Sequence, residues 1–240
     1  MTSLVALNSD AHRNLKVEVK DQVALAEGHN LLPIFMAEFG PCSSECPVVF
    51  AKNNETGQIR PVIMTGFTPD ENLLCENGKW LGRYLPGSLR PSALVAMPDK
   101  NNSEKLVICV DEDSKLVNTD LGERLFDDEG NQTEFLQHQS KLAAEVRAHG
   151  MQMLDFIDTL TELSLLKSNP ISITPPSGQP FNVTGLYFVD EVALGELPAE
   201  KLAELRDKGY LRAIYASLVS LHRLDDLMQR RAKRSAQEAK

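Results

Sequence analysis

The hydrophobic pattern of this chain changes its period near residue 131, and this change constrains the fold more than any other feature. Before it, short apolar runs are separated by turn residues, a pattern typical of β-strands. After it, apolar residues recur at the three- and four-residue spacing of a helix. The sequence therefore predicts an α+β fold. A largely antiparallel sheet comes from the N-terminal half, and a long helix, a late hairpin and C-terminal helices pack on it.

Three strand pairs are predicted in the first half of the chain, each joined by a polar turn. The pairs are 47–51 with 60–64, 72–75 with 79–81, and 93–97 with 105–110. The turn Asn77-Gly78 is a dipeptide favoured in type I′ hairpins. The late hairpin pairs 171–174 with 181–188 through a turn at residues 175–178.

The long helix is predicted to begin after Asn131, with Glu134 as the partner in a capping box, and to extend to about Leu166. Its apolar stripe consists of Leu142, Val146, Met153, Ile157 and Leu160.

The last helix carries a second apolar stripe, made of Leu211, Ile214, Leu218, Leu221 and Met228. We expect this stripe to be packed, so Leu218→Ala should cost roughly 2–5 kcal/mol. The cationic run that follows, residues 230–234, has one apolar residue and is expected to be solvated and mobile. Removing residues 230–240 should then leave stability nearly unchanged.

Size and composition favour one domain. The chain has 240 residues, 42 % of them hydrophobic, which is enough for one sizeable core. The sequence predicts a single α+β domain over residues 1–240, in which 1–25 and 230–240 are peripheral or mobile.

Charge and hydropathy exclude several classes of partner. The net charge of −9 repels phosphate backbones and argues against nucleic-acid binding. No apolar run approaches the roughly 20 residues that span a bilayer, so no transmembrane segment is expected. Residues 1–20 lack the pattern of a secretory signal, which leads us to expect a cytoplasmic protein with four free thiols.

The common catalytic motifs are missing from the sequence. It contains no glycine-rich phosphate loop, no GxSxG elbow and no His-Glu-x-x-His. These absences exclude the classes of enzyme that carry such motifs, though not enzymes as such, and we expect no cofactor.

Two groups of residues could ligate a metal. Cys42 and Cys46 have the spacing of one arm of a zinc site or of a redox pair, but no second arm exists, and two core thiols are the favoured interpretation. His138, Glu145 and His149 share one helix face, for which a solvated or edge-of-core stripe is favoured. No metal is therefore predicted.

A third group could bind a small molecule. Arg83, Tyr84 and Arg90 follow Trp80 in a loop that contains proline, where they could bind an anion or pair with Glu38. Glu38 lies in an apolar run, and the favoured interpretation is an N-terminal or surface acid on a helical turn. With His29, these residues form the predicted ligand-binding set: His29, Glu38, Arg83, Tyr84 and Arg90.

Dispersed segments resemble the SapC family of bacterial proteins. They are His29-Asn30, residues 35–50, Arg83-Tyr84-Leu85-Pro86, Cys109-Val110-Asp111-Glu112, residues 125–130 and residues 214–221. The pair Cys42 and Cys46 departs from the resemblance, since similar proteins more usually carry small or polar residues there. The family name implies a link with the bacterial surface layer and supplies no catalytic residue.

Two hypotheses of function follow. The first is a non-catalytic accessory or interaction protein with a protein partner, or a second copy of itself, in a surface-layer or cell-envelope pathway. The alternative is a small-molecule enzyme or ligand-binding protein with a pocket at the junction of sheet and helix.

Overall fold

The structure is a computed structural model that describes residues 3–53, 55–174 and 179–238. The chain divides into two compact units. Unit one comprises residues 1–21 and 90–151, and unit two comprises residues 22–89 and 152–240. Each unit has its own buried core. The single domain stays a prediction.

The strands, in chain order, are β1 (Leu4–Ala6), β2 (Lys16–Val17), β3 (Leu31–Pro33), β4 (Val48–Lys52), β5 (Ile59–Met64), β6 (Cys75–Glu76), β7 (Lys79–Trp80), β8 (Leu94–Pro98), β9 (Leu106–Asp111), β10 (Val117–Asn118), β11 (Glu123–Arg124), β12 (Leu166–Ser168), β13 (Ile171–Ile173), β14 (Phe181–Val183) and β15 (Leu186–Val189). The α-helices are α1 (Ser9–His12), α2 (Phe39–Ser43), α3 (Glu134–Glu162), α4 (Glu191–Gly195), α5 (Ala199–Asp207), α6 (Tyr210–Ser220) and α7 (Arg223–Glu238). The predicted α+β class is confirmed.

Unit one contains two three-stranded antiparallel sheets, in the orders β1-β9-β8 and β10-β2-β11. Residues 1–25 were expected to be peripheral or mobile. β1 is an exposed strand paired with the edge of β9, but Val17 and His12 are buried, so for these two residues the expectation was wrong. The free backbone edge of β9 gives the N-terminal segment a place in the sheet.

Unit two is built on a five-stranded antiparallel sheet in the order β12-β15-β4-β5-β3. The predicted hairpins β4–β5 and β13–β14 are present, and β8–β9 forms the one predicted in unit one. The predicted return strand 181–188 is interrupted at Gly185, which has a φ of 81°. β14 therefore stays with β13, while β15 joins the main sheet. The turn at 175–178 lies outside the described residues.

The Asn77-Gly78 turn joins β6 and β7 as predicted. Both residues have positive φ values, 50° and 70°, as a type I′ turn requires. The two strands form a separate two-stranded sheet.

The long helix α3 begins three residues later than the predicted cap. Thr133, not Asn131, accepts a hydrogen bond at the N-terminus, from the backbone N–H of Leu136 at 3.1 Å. Asn131 instead donates its backbone N–H to Asp127 in the preceding turn. Of the predicted stripe, Met153, Ile157 and Leu160 are buried, but Leu142 and Val146 are exposed.

Helix α6 is fastened to the main sheet by two buried serines. Ser217 donates to the carbonyl of Val48 at 2.8 Å, and Ser220 accepts from the N–H of Val48 at 2.7 Å. Ile214 is fully buried, and Leu218 packs partly buried against the same core. The predicted stripe of the last helix is thus packed, although it is divided between α6 and α7.

The cationic run at 230–234 was expected to be solvated, and this was wrong for two of its arginines. Arg231 pairs with Glu71 at 3.1 Å and lies over the rings of Phe67 and Phe181, with its guanidinium carbon 5.8 and 4.8 Å from their centroids. Arg234 donates to two backbone carbonyl groups. Backbone and aromatic partners far away in sequence therefore fix this part of α7.

No helix within the described ranges is long and apolar enough to cross a membrane.

We predict that Arg231→Ala lowers the free energy of unfolding by about 1–3 kcal/mol. The change removes the cation–π contacts and leaves the mostly buried carboxylate of Glu71 without its cationic partner. The exposed Lys233 of the same helix provides the control, and Lys233→Ala should change stability by less than about 0.5 kcal/mol. Urea unfolding measures both. Equal, small effects would mean that α7 is not fixed by Arg231.

Candidate functional site

Glu38 is the centre of the predicted ligand-binding set, and the structure buries it. It ends a short 3-10 turn, Met36–Glu38, and only 6 % of its surface is exposed. Its carboxylate accepts hydrogen bonds from the N–H of Phe35 at 2.7 Å, the N–H of Gly87 at 2.7 Å and the hydroxyl of Tyr84 at 3.0 Å. A buried carboxylate is tolerated only with such partners.

A second carboxylate, that of Glu45, binds the loop that contains Tyr84 and Gly87. Glu45 accepts from the backbone N–H groups of Arg83, at 2.6 Å, and Tyr84, at 2.9 Å. The indole N–H of Trp80 donates to the carbonyl of Tyr84 at 2.7 Å. Residues 80–87 are thus held at their backbone by two acidic side chains and one indole. Sequence reasoning missed Glu45, because nothing in its neighbourhood marks it as a partner of this loop.

The structure brings together some members of the predicted set. Glu38 and Tyr84 share a hydrogen bond, and the backbone of Arg83 is held beside them while its side chain is exposed. The side chain of His29 is exposed, and its carbonyl accepts from Thr65. Arg90 belongs to unit one, where it lies 3.9 Å from Asp21. Ligand binding by the whole set stays a prediction.

The chemistry open to the Glu38 cluster follows from its hydrogen bonds. Oε1 accepts from Tyr84 and Gly87, and Oε2 accepts from Phe35. A ligand that displaced one of these donors would leave it without its acceptor, which costs about 1–3 kcal/mol where the donor is buried. The cluster therefore connects loop 80–87 to the 3-10 turn.

The two closely spaced cysteines are both buried next to this cluster. Burial, reinforced by the negative charges of Glu38 and Glu45, raises the pKa of Cys42 far above its usual range. Burial and Glu45 raise the pKa of Cys46 to about 12. Because the thiolate is the form that attacks or binds metal, both thiols are inert at neutral pH.

Metal ligation has no geometric basis in the described parts of the chain. They contain no group of three or more histidine, cysteine, aspartate or glutamate side chains arranged to hold an ion. His138, Glu145 and His149 lie along α3 without forming such a group.

A different kind of surface is present in unit one, on the three-stranded sheet β1-β9-β8. Successive residues of a strand point to opposite faces. Leu94, Ala96 and Val110 are buried on the inner face. The residues between them define what we call the outer face, and they are Leu4, Ala6, Val95, Met97, Val107, Cys109 and Asp111.

The outer face is apolar except for Asp111, which lies opposite Leu4 at one end of β9. Met97 is 38 % exposed and Leu4 42 % exposed, and Val95 and Val107 are half-buried. None of these residues joins the core of unit one within the described segments. The sequence carried a signal for this face, because the continuous apolar run from Leu106 to Val110 is typical of a strand covered on both sides.

Comparison with known proteins identifies one family. The family model described as SapC matches residues 7–227. No curated protein and no solved structure matches the chain.

We predict that Glu38→Gln lowers the free energy of unfolding by about 1–3 kcal/mol, because the amide nitrogen cannot accept from the buried N–H groups. Tyr84→Phe removes one donor and should cost about 1 kcal/mol. Glu76→Gln, at an exposed position of unit two, is the control. Chemical denaturation compares the three variants. If Glu38→Gln were as stable as the control, Glu38 would be dispensable for folding and available to a ligand.

We also predict that iodoacetamide leaves Cys42 and Cys46 unmodified in the folded protein at neutral pH, while Cys109 reacts. The raised pKa keeps Cys46 protonated until the pH approaches about 12, whereas Cys109 is partly exposed on the outer face. Mass spectrometry of peptides after timed labelling measures the three rates. Labelling of Cys42 as fast as that of Cys109 would contradict the burial described here.

Proposed function

This chain belongs to the SapC family, and from that premise we propose that it is a non-catalytic interaction protein of a bacterium whose protein partner docks on the outer face. The proposal includes the link with a surface-layer or cell-envelope pathway that the resemblance implies. A cytoplasmic location is also proposed, and the four cysteines without disulfides support it.

The single observation that carries the proposal is the uncovered apolar outer face. Contiguous apolar surface costs free energy in water, at roughly 25 cal/mol for each Å² that a partner could bury. Soluble proteins therefore keep such surface mainly where something binds. Met97 and Val107, which lie opposite each other in adjacent strands, provide its centre.

The polar residues of unit two support the same proposal, because their hydrogen bonds disfavour a small-molecule site there. Glu38 and Glu45 are engaged with backbone N–H groups, and the neighbouring thiols are protonated. A small molecule that displaced the donors of these carboxylates would break the hydrogen bonds, whereas a protein partner on the outer face would break none of them.

Site-specific photocrosslinking in native cells tests the proposal. A benzophenone amino acid placed at Met97 should form an adduct with one identified protein, because this side chain lies at the docking surface. The same group at Val192, which is 67 % exposed in unit two, is the matched control and should give no such adduct.

Val107→Lys in the Met97 crosslinking variant should abolish the adduct, because an ammonium group would be buried without a partner in the interface. An adduct with a second copy of the chain would show that the partner is the same protein, in a homodimer. No adduct from Met97, or the same adduct from Val192, would contradict the proposal.

A further inference from the structure

A groove of about 640 Å³ opens in unit one beside the first half of β9. Its walls are the segment that follows β1, the start of β9 and the turn before α3. Its lining includes Leu7, Leu106, Ile108, Asn131, Gln132 and Ser140.

The groove lies where β1 ends and β9 continues without a neighbour on that side of the sheet β1-β9-β8. β1 runs antiparallel to β9, with Ala6 opposite Cys109, and the N–H of Leu7 still donates to the carbonyl of Ile108 at 2.8 Å. Asn8 then caps α1 through its side chain, and the chain turns away. Between Leu106 and Ile108, at the start of β9, this edge has no neighbouring strand in the described structure.

The backbone of Leu106 points into this gap. In an antiparallel ladder, every second residue directs its N–H and C=O to the same neighbour. Ile108 and Glu112 direct theirs to the β1 side, as their bonds to Leu7 and Ser3 show. Leu106 continues this alternation, so its N–H and C=O face the side of β9 where no strand of the described structure lies.

The side chains of the groove define the ligand that would fit it. None of the described lining residues is charged, although the chain has 34 acidic and 25 basic residues. Leu7 and Ile108 are apolar, while Asn131 and Gln132 carry amide groups. The buried hydroxyl oxygen of Ser140 has no hydrogen-bond partner within the described chain. This chemistry suits a neutral ligand that both donates and accepts hydrogen bonds.

We propose that the groove binds an extended, uncharged peptide segment. The segment pairs antiparallel with the start of β9, on the edge to which β1 does not extend. The peptide would exchange two backbone hydrogen bonds with Leu106, the pairing used when a peptide adds to the edge of a sheet. Side chains on alternate residues would face the apolar wall. This inference rests on the proposed function, because it states which chemistry the partner presents.

A peptide titration followed by NMR on the labelled full-length chain tests this inference. The probe is an acetylated and amidated pentapeptide of alternating threonine and valine. It should shift the amide resonances of Leu106 and Ile108 and protect the Leu106 amide from exchange. The same peptide N-methylated at its central residue should bind about fivefold to tenfold more weakly, because one backbone donor is lost.

Two substitutions locate the binding. Leu106→Pro removes the backbone donor, and it should abolish binding of the probe. Leu106→Ala keeps the donor, and it should retain binding. If Leu106→Pro does not fold, the N-methylated peptide on the unaltered chain still decides the question.

Equal binding of the two peptides, shifts confined to other residues, or equal perturbation by the neutral sugar cellobiose would overturn this inference. If the probe peptide does not bind but the Met97 adduct still forms, only the proposal of a peptide in the groove is overturned. If the peptide does not bind and no Met97 adduct forms, the proposed function is overturned as well.

Discussion

A buried carboxylate must be paired, and the way in which Glu38 meets this requirement determines much of unit two. Its bonds to Phe35, Tyr84 and Gly87 join the turn before α2 to loop 80–87. The same negative charge helps to keep the Cys42 thiol protonated. Glu38, which the sequence placed in a predicted ligand site, thus also connects two segments of unit two, and ligand binding there stays a prediction.

The sequence predicted those parts of the fold that local chemistry decides. The hairpin at Asn77-Gly78 forms because both residues accept a positive φ. It did not predict the docking of α7, because the partners of Arg231 and Arg234 are far away along the chain. A run of arginines near a chain end looks solvated until Glu71 and the surrounding rings are placed in space.

The candidate sites also divide into features that local sequence predicts and features that depend on distant parts of the chain. A carboxylate in an apolar run needs a partner, so the pairing of Glu38 with Tyr84 was within reach of the sequence. The outer face was also foreseeable from the continuous apolar run of β9. The groove was not, since it exists only because the chain turns away from β9 at Asn8, so that the backbone of Leu106 faces no described strand on that side.

We propose that this protein acts through the three-stranded sheet β1-β9-β8 of unit one, while Glu38 and Glu45 of unit two maintain the fold. Hydrogen exchange of the purified chain, compared with that of the complex recovered from native cells, tests it most directly. The account predicts added protection in β1, β8 and β9 and unchanged exchange in residues 35–46 and 80–87. Added protection confined to residues 35–46 and 80–87, with the sheet unchanged, would contradict it.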